Sequence, residues 1–487
     1  MDNLTVIVLA AGGGTRMKSK TMKVLHPVCG RSMIGHVLAA VQAMEPQRVV
    51  AVVGHQREQV SAHILQLMPD VVLAVQEKQE GTGHAVRVAM ESVDVGSGTV
   101  IVAAGDTPLL EGESLRAFAQ EHEAAQRAVS ILSGVVPDPF GYGRVLRTPE
   151  GDVEAIVEEK DATDEQREIR EISSGILAFD AAFLAEALPK IGNDNAKGEY
   201  YLTDTVQLAR DAGLTVGAHA IDDVRQTEGA NDRAQLADLG RELNRRIVTR
   251  WMRDGVSVMD PATTWIDADV ALSEDVTILP GTQLLGATVV GEDAVIGPDT
   301  TLKDCEIGAG ARVVRAHGEL AVIGERASVG PFSYLRPGTQ LGVEGKIGTF
   351  VETKNARIGD RAKVPHLSYV GDAEIGEGSN IGAGTIFANY DGVQKHRTTV
   401  GRHAKTGSNN TFVAPVTIGD GAGTGGGTVV RRNVPPGALA VSGGPQRNLP
   451  GWAQRSRPGT AQAEAAESAR WDTGPEVGQG PSGGEES

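Results

Sequence analysis

A chain of 487 residues is longer than one hydrophobic core usually supports, so two or three domains are expected. Aromatic residues make up only 4% while glycine takes 62 positions, which implies a large region of small aliphatic side chains and tight turns. The net charge of −17 argues against general binding to nucleic acid or acidic membranes, and two cysteines, Cys29 and Cys305, are too few for a disulfide framework or a cysteine zinc site. The N-terminus has no basic stretch leading into an apolar one, and no apolar run approaches the length of a membrane span, so a cytoplasmic enzyme is expected.

In chain order, residues 5–9 form an apolar β-rich run that ends in Gly12-Gly13-Gly14, and a helical pattern follows over 32–44. Further strand-like runs at 48–53, 71–75 and 99–103 alternate with helical segments. This βαβ rhythm predicts a parallel sheet covered by helices over residues 1–229. Residues 231–253 read as one helix, with Leu236, Leu239, Leu243 and Ile247 at three- and four-residue spacing, and the segment 230–253 is expected to link two domains. The period then changes. Ile323, Val329, Leu335, Leu341 and Ile347 recur every six residues, as do Ile358, Val364 and Val370, and then Ile375, Ile381 and Phe387. Glycine follows many of them. A six-residue period fits a parallel β-helix over 254–450, in which each hexapeptide forms one side of a coil and its aliphatic residue points inward. The Gly-, Pro-, Ser-, Ala- and Glu-rich tail, 451–487, lacks such a pattern and is expected to be disordered.

The segment LAAGGGTRMKSKTMK lies between a strand and a helix. Its glycines let backbone N–H groups approach a phosphate chain, and Arg16 and Lys23 add positive charge. It is neither a Walker A sequence nor a dinucleotide fingerprint. The segment resembles the signature loop of sugar-nucleotide pyrophosphorylases, with Met22 where that family usually has proline. The resemblance implies that Leu9, Ala10, Ala11 and Gly12 line the nucleotide site, and that Arg16 and Lys23 act on the phosphates. It further implies that Gln76, Gly81 and Thr82 of QEKQEGTGH hold the uracil, and that Gly105 and Asp106 of AAGDTPL lie at the reacting phosphates. Asp106 and Asn231 correspond to magnesium ligands, and Gly143, Glu158 and Ser173 to sugar contacts. Ser173 stands where the family usually has asparagine.

Within the hexapeptide region, polar clusters that interrupt the repeat are expected at coil corners: YLRPG, VETKN, PHLSY, NIGAG and NYDG. They closely resemble the acetyltransferase half of the bifunctional N-acetylglucosamine-1-phosphate uridyltransferases/glucosamine-1-phosphate acetyltransferases. With the first domain, the resemblance covers about residues 4–450. It implies a Rossmann-like α/β nucleotidyltransferase domain followed by a left-handed parallel β-helix, assembled as a homotrimer. His366 is expected to be the general base, since an imidazole can accept the sugar ammonium proton near neutral pH. Arg336, Lys354, Tyr369, Asn380, Asn389 and Tyr390 correspond to sugar-phosphate contacts, and Ala383, Ser408 and Gly426 to acetyl-CoA positions. At 426 the family often has alanine, and where many members have arginine this chain has Gly443. The activity implied is acetylation of glucosamine 1-phosphate by acetyl-CoA, then uridylyl transfer from UTP. The product would be UDP-N-acetylglucosamine, a cell-wall precursor. Two alternatives are a monofunctional nucleotidyltransferase with a regulatory β-helix, and a scaffold protein built on a decayed nucleotidyltransferase.

Overall fold

The computed structural model describes residues 3–54, 57–444, 446 and 448–469. Residues up to Ala440 form one compact unit, and a second, smaller unit begins at Val441.

The first unit starts with a mixed sheet. Leu4–Leu9 lies between Arg48–Val53 and Thr99–Ala104 and is parallel to both. Val72–Val75 extends one edge, again in parallel. The expected parallel order fails on the other side. Glu171–Asp180 inserts antiparallel between Thr99–Ala104 and Val129–Val135, and it also carries the hairpin Gly143–Arg147/Val153–Val157. Such a strand needs no crossover helix, so it leaves no trace in a strand–helix rhythm. The helix expected at 32–44 spans Met33–Gln42; the Ser32 hydroxyl caps it by accepting from the Gly35 N–H at 3.0 Å.

The connecting helix runs Arg233–Arg253, capped by the Asp232 carboxylate. Its Leu239 and Ile247 join a core cluster that runs on into the β-helix. On the β-helix side, the buried Asn244 amide donates to Thr264 O at 2.8 Å and accepts from the Ile266 N–H at 2.9 Å. The helix is therefore fastened to the first coils by polar as well as apolar contacts.

From Ser257 onward the strands are two to seven residues long and pair in parallel, one coil to the next. After a first step of 20 residues, Ser257↔Thr277, the register steps by 16 to 18 residues per coil, as in Val295↔Arg312, Arg312↔Ser328 and Ser328↔Lys346. The hexapeptide aliphatics from Ile323 to Phe387 are all at most 2% exposed, so the period seen in sequence is the inward-facing row. The glycines after them serve close approach. A Cβ at Gly382 would stand 2.1 Å from the Gly407 oxygen on the next coil, too close for any side chain.

One coil is longer than the rest. Ile386 pairs with Thr411, twenty-five residues on, and the surplus forms a loop in which Tyr390 bridges Lys395.

In the tail, the expectation of disorder does not hold for the described part. Trp452–Ser456 and Ala461–Ser468 are helical, the second capped by the Thr460 hydroxyl. Alanine and glutamate are strong helix formers, and they outweigh the polar composition there. Residues 470–487 of that expectation lie outside the described residues.

Candidate functional sites

At the C-terminal edge of the sheet, the N–H of Ala10 donates to Val52 O at 2.8 Å, that of Gly105 to Leu9 O at 2.9 Å, and that of Gln76 to Val53 O at 2.8 Å. These bonds bring Leu9, Ala10, Ala11, Gln76 and Gly105 to one rim, where open α/β sheets bind ligands. Gly12 and Gly13 are exposed, with no atom near a would-be Cβ. Gly14 sits at φ +61°, and a Cβ there would meet Lys23 Cβ at 2.5 Å. Only glycine lets the Lys23 side chain cross beneath the loop.

Lys23 Nζ pairs with Asp106 Oδ2 and donates to Asn231 Oδ1 at 2.9 Å. Two oxygen donors from distant segments converge on one cationic group, and such a donor pair suits a hard cation, so both residues fit magnesium. Arg16 is exposed and makes no hydrogen bond or ion pair among the described residues, which leaves its guanidinium free for a phosphate. Met22 adopts φ −59° and ψ 143°, a backbone a proline would also take, and its side chain is buried in the core.

The segment after Gln76 folds back on the rim. Gln76 Nε2 donates to Gly81 O at 3.1 Å, and Gln79 donates to Ala11 O. Gly81, at φ +108°, and Gly83 pack against Tyr200, while Thr82 Oγ1 accepts from the Leu202 N–H at 3.1 Å. This docking brings in residues the motifs did not indicate. Thr203 donates to Glu158 Oε1 at 3.2 Å, and burial pushes the Glu158 carboxyl up. Asp204 beside them is pushed up to about 6, first by burial and then by Glu158 and Asp161. Gly143 pairs with Ser173 across the sheet, and a Cβ on Gly143 would stand 3.6 Å from Glu158 Oε1. The three expected sugar contacts therefore share one wall. Ser173 is buried, and among the described residues its hydroxyl accepts only from the nearby Gly175 N–H at 3.4 Å.

In the β-helix, Arg336 and Lys354 follow the paired residues Leu335 and Thr353 on adjacent coils. Arg336 Nη1 donates to Glu352 Oε1 at 2.9 Å. Lys395, from the long loop, lies against Lys354 and lowers its pKa, with burial and Arg336 adding to the effect. Three cations thus gather within one neighbourhood, a setting for an anion. Asp372 organises it. Its carboxylate accepts from Asn355 Nδ2 at 2.7 Å and from Asn389 Nδ2 at 2.5 Å. Burial works against that charge, but the two amides and the Lys354 and Lys395 cations hold it below the usual carboxylate range. Asn389 Nδ2 also lies 3.5 Å from the Tyr369 hydroxyl. Tyr390 is 60% exposed, its hydroxyl donating to Gly392 O at 2.6 Å. Neither Lys395 nor Asp372 belongs to the polar clusters read from the sequence, and the motifs missed both. Lys354 and Tyr369 lie within the strands Glu352–Ile358 and Tyr369–Ile375, whereas corners were expected.

His366 ends the strand Lys363–His366 and is exposed, without a side-chain hydrogen bond among the described residues. The coils stack at this corner. Gly384 N–H donates to His366 O at 3.3 Å, Asn409 N–H to Ala383 O at 2.7 Å, and Gly427 N–H to Ser408 O at 2.8 Å. His366, Ala383, Ser408 and Gly426 therefore climb one edge. The Ala383 N–H has no acceptor among the described residues. Asn380 is placed apart, bridging Lys363 and Lys405 on the coil side that precedes this corner. A Cβ at Gly426 would meet Ser408 O at 3.6 Å, ordinary contact, whereas Gly443 holds φ +106°, which an arginine would strain to adopt.

Comparison with known proteins adds a family profile and close relatives. Residues 6–169 match the MobA-like NTP transferase domain. The chain is 58% identical over 464 residues to the bifunctional protein GlmU of Streptomyces avermitilis, covering 95% of this chain and 96% of that one. It is 57% identical over 470 residues to the protein of that name from Corynebacterium jeikeium, covering 96% of each. The match to that from Rhodococcus jostii is 57% over 472 residues, covering 95% of this chain and 94% of the relative.

Proposed function

The chain belongs to the GlmU family of bifunctional uridylyltransferase–acetyltransferases, and from that premise we propose how its residues divide two reactions that together yield UDP-N-acetylglucosamine. The β-helix acetylates glucosamine 1-phosphate with acetyl-CoA. A ring nitrogen of His366 takes a proton from the sugar ammonium, and the freed amine attacks the thioester carbonyl. The Ala383 N–H, which has no acceptor among the described residues, donates to the developing oxyanion. The C–S bond then breaks, His366 returns its proton to the departing thiolate, and the second proton on the acylated nitrogen is released to water. Arg336, Lys354 and Lys395 hold the sugar phosphate; Asn389, anchored on Asp372 and within reach of the Tyr369 hydroxyl, faces the sugar together with Tyr369 and Tyr390. Ser408 and Gly426 flank the coenzyme. The observation that carries this reading is the stacking of base, oxyanion donor and coenzyme positions along one edge.

In the sheet domain, the phosphate of N-acetylglucosamine 1-phosphate attacks the α-phosphorus of UTP and pyrophosphate leaves. The nucleophile is already anionic, so the protein's work is positioning and charge stabilisation. Lys23 and Arg16 hold the phosphates, Gln76 and the Gly81–Thr82 turn hold the base, and Gly143, Glu158 and Ser173 hold the sugar. Asp106 and Asn231 would hold magnesium, which when bound draws charge from phosphate oxygens. The protein acts as a homotrimer in this reading. Phe332, Phe350 and Leu367, all more than half exposed, make an apolar edge beside His366 that a second copy can cover. Assay of both half-reactions on the purified chain tests the division: uridylyl transfer should require Mg²⁺, and acetyl transfer should proceed in excess chelator. Acetyl transfer that also needs the metal, or is undetectable, would contradict it.

A further inference from the structure

Arg246 lies on the helix Arg233–Arg253, away from every binding residue named above, yet it touches both segments that carry the cation-facing oxygens. Its Nη1 donates to Glu111 Oε1 at 3.1 Å, its Nη2 pairs with Asp223 Oδ2 at 2.6 Å, and its Nε donates to Glu242 Oε1 at 2.8 Å. Glu111 stands five residues after Asp106, and Asp223 eight before Asn231. Gln226 ties the same segments together: its Oε1 accepts from the Glu111 N–H at 3.3 Å, and its Nε2 donates to Glu111 Oε2 at 3.4 Å. Arg225 also holds its own segment to the helix, through Asp238 and through Glu242 at 3.6 Å, but among the described residues it makes no ion pair with the Asp106 segment. The Arg246 side chain is 17% exposed and Glu242 9%, so these charges are partly withdrawn from water. A planar guanidinium with three anchored edges fixes distances that a flexible ammonium would not.

We propose that Arg246 is a positioning residue for uridylyl transfer. Through Glu111 and Asp223 it sets the separation of Asp106 and Asn231, and so how tightly that pair holds a divalent cation. Magnesium demands near-ideal ligand distances, so a small drift between the two segments weakens its seat. The inference rests on the reading of Asp106 and Asn231 as the cation's ligands.

The test uses the full chain with Arg246→Met, Arg246→Lys, Glu111→Gln and Asp106→Ala. Mn²⁺ binding is followed by electron paramagnetic resonance, and the Mg²⁺ dependence of uridylyl transfer is measured beside it. Arg246→Met should raise the Mn²⁺ dissociation constant and the Mg²⁺ half-saturation by about tenfold, by analogy with groups that orient metal ligands. At saturating Mg²⁺ its kcat should largely return, and acetyl transfer should be unchanged, which certifies the fold. Arg246→Lys should fall between Arg246→Met and the parent. Glu111→Gln should shift both metal readouts in the same direction without leaving unpaired carboxylates, so it decides the matter if Arg246→Met does not fold. Unchanged metal affinity and Mg²⁺ dependence in folded Arg246→Met, or in Glu111→Gln alone, would overturn the positioning role. If Asp106→Ala also leaves both unchanged, the ligand reading fails and takes the proposal with it. Loss in Asp106→Ala alone would spare that reading and refute only the part given to Arg246.

Discussion

The sheet domain and the β-helix assemble their candidate sites over opposite kinds of sequence distance. In the sheet, Lys23 meets Asn231 across 208 positions, and Asp106 joins them from a third segment. In the β-helix, Arg336, Lys354 and Tyr369 come from adjacent coils, and the His366 edge repeats coil by coil. A solenoid brings each residue beside those about one coil away, so its site is nearly periodic in sequence. An open sheet gathers loops from wherever its strands end. The difference predicts that β-helix substitutions act locally, whereas sheet-site substitutions propagate through the segments that hold the rim together.

Within the β-helix, the largest effect should come from His366→Ala. General-base assistance is worth on the order of 10²–10⁴-fold, and acetyl-transfer kcat should fall within that range with a smaller change in KM for glucosamine 1-phosphate. His366 is exposed and outside the stacked core, so the coil should stay folded. Acetyl transfer within a few-fold of the parent would mean that His366 is only a solvated corner residue.

A smaller effect should follow Ser173→Asn. The hydroxyl now makes one long bond within its own strand, and a carboxamide adds a donor and reach toward the wall shared with Gly143 and Glu158. One extra hydrogen bond is worth roughly 1 kcal/mol, so KM for N-acetylglucosamine 1-phosphate should drop a few-fold. An unchanged KM would take position 173 out of the sugar site.

The smallest effect should be that of Gly426→Ala. Its would-be Cβ has room, and the backbone there is not left-handed. Such a change stabilises by about 0.4–1 kcal/mol through the unfolded state, visible as a raised thermal midpoint with acetyl transfer retained. A lowered midpoint would mean that the corner cannot accept a methyl group.

Legibility follows the same divide. The six-residue row from Ile323 to Phe387 was readable because each coil repeats one steric requirement, and all of its members face inward. The rim glycines and Lys23 were readable because they lie in one short segment, where Gly14 must make room for the Lys23 side chain. Hidden were the antiparallel strand Glu171–Asp180, the Thr203–Glu158 contact and the pairing of Lys395 with Lys354. Each depends on where a distant segment lands, and neither composition nor spacing encodes that. The Arg246 network was invisible for the same reason: on one helix it reads as an ordinary run of surface charge.

The central claim is that two independent sites occupy the two halves of one chain. Its most direct test is a crossed assay, in which Asp106→Ala and His366→Ala are each measured for uridylyl and acetyl transfer with the substrates of each step supplied separately. Asp106→Ala should abolish uridylyl transfer and keep the parent's acetyl transfer, and His366→Ala should cut acetyl transfer by on the order of 10²–10⁴-fold and keep the parent's uridylyl transfer. Equal loss of both activities in either folded variant would contradict the account.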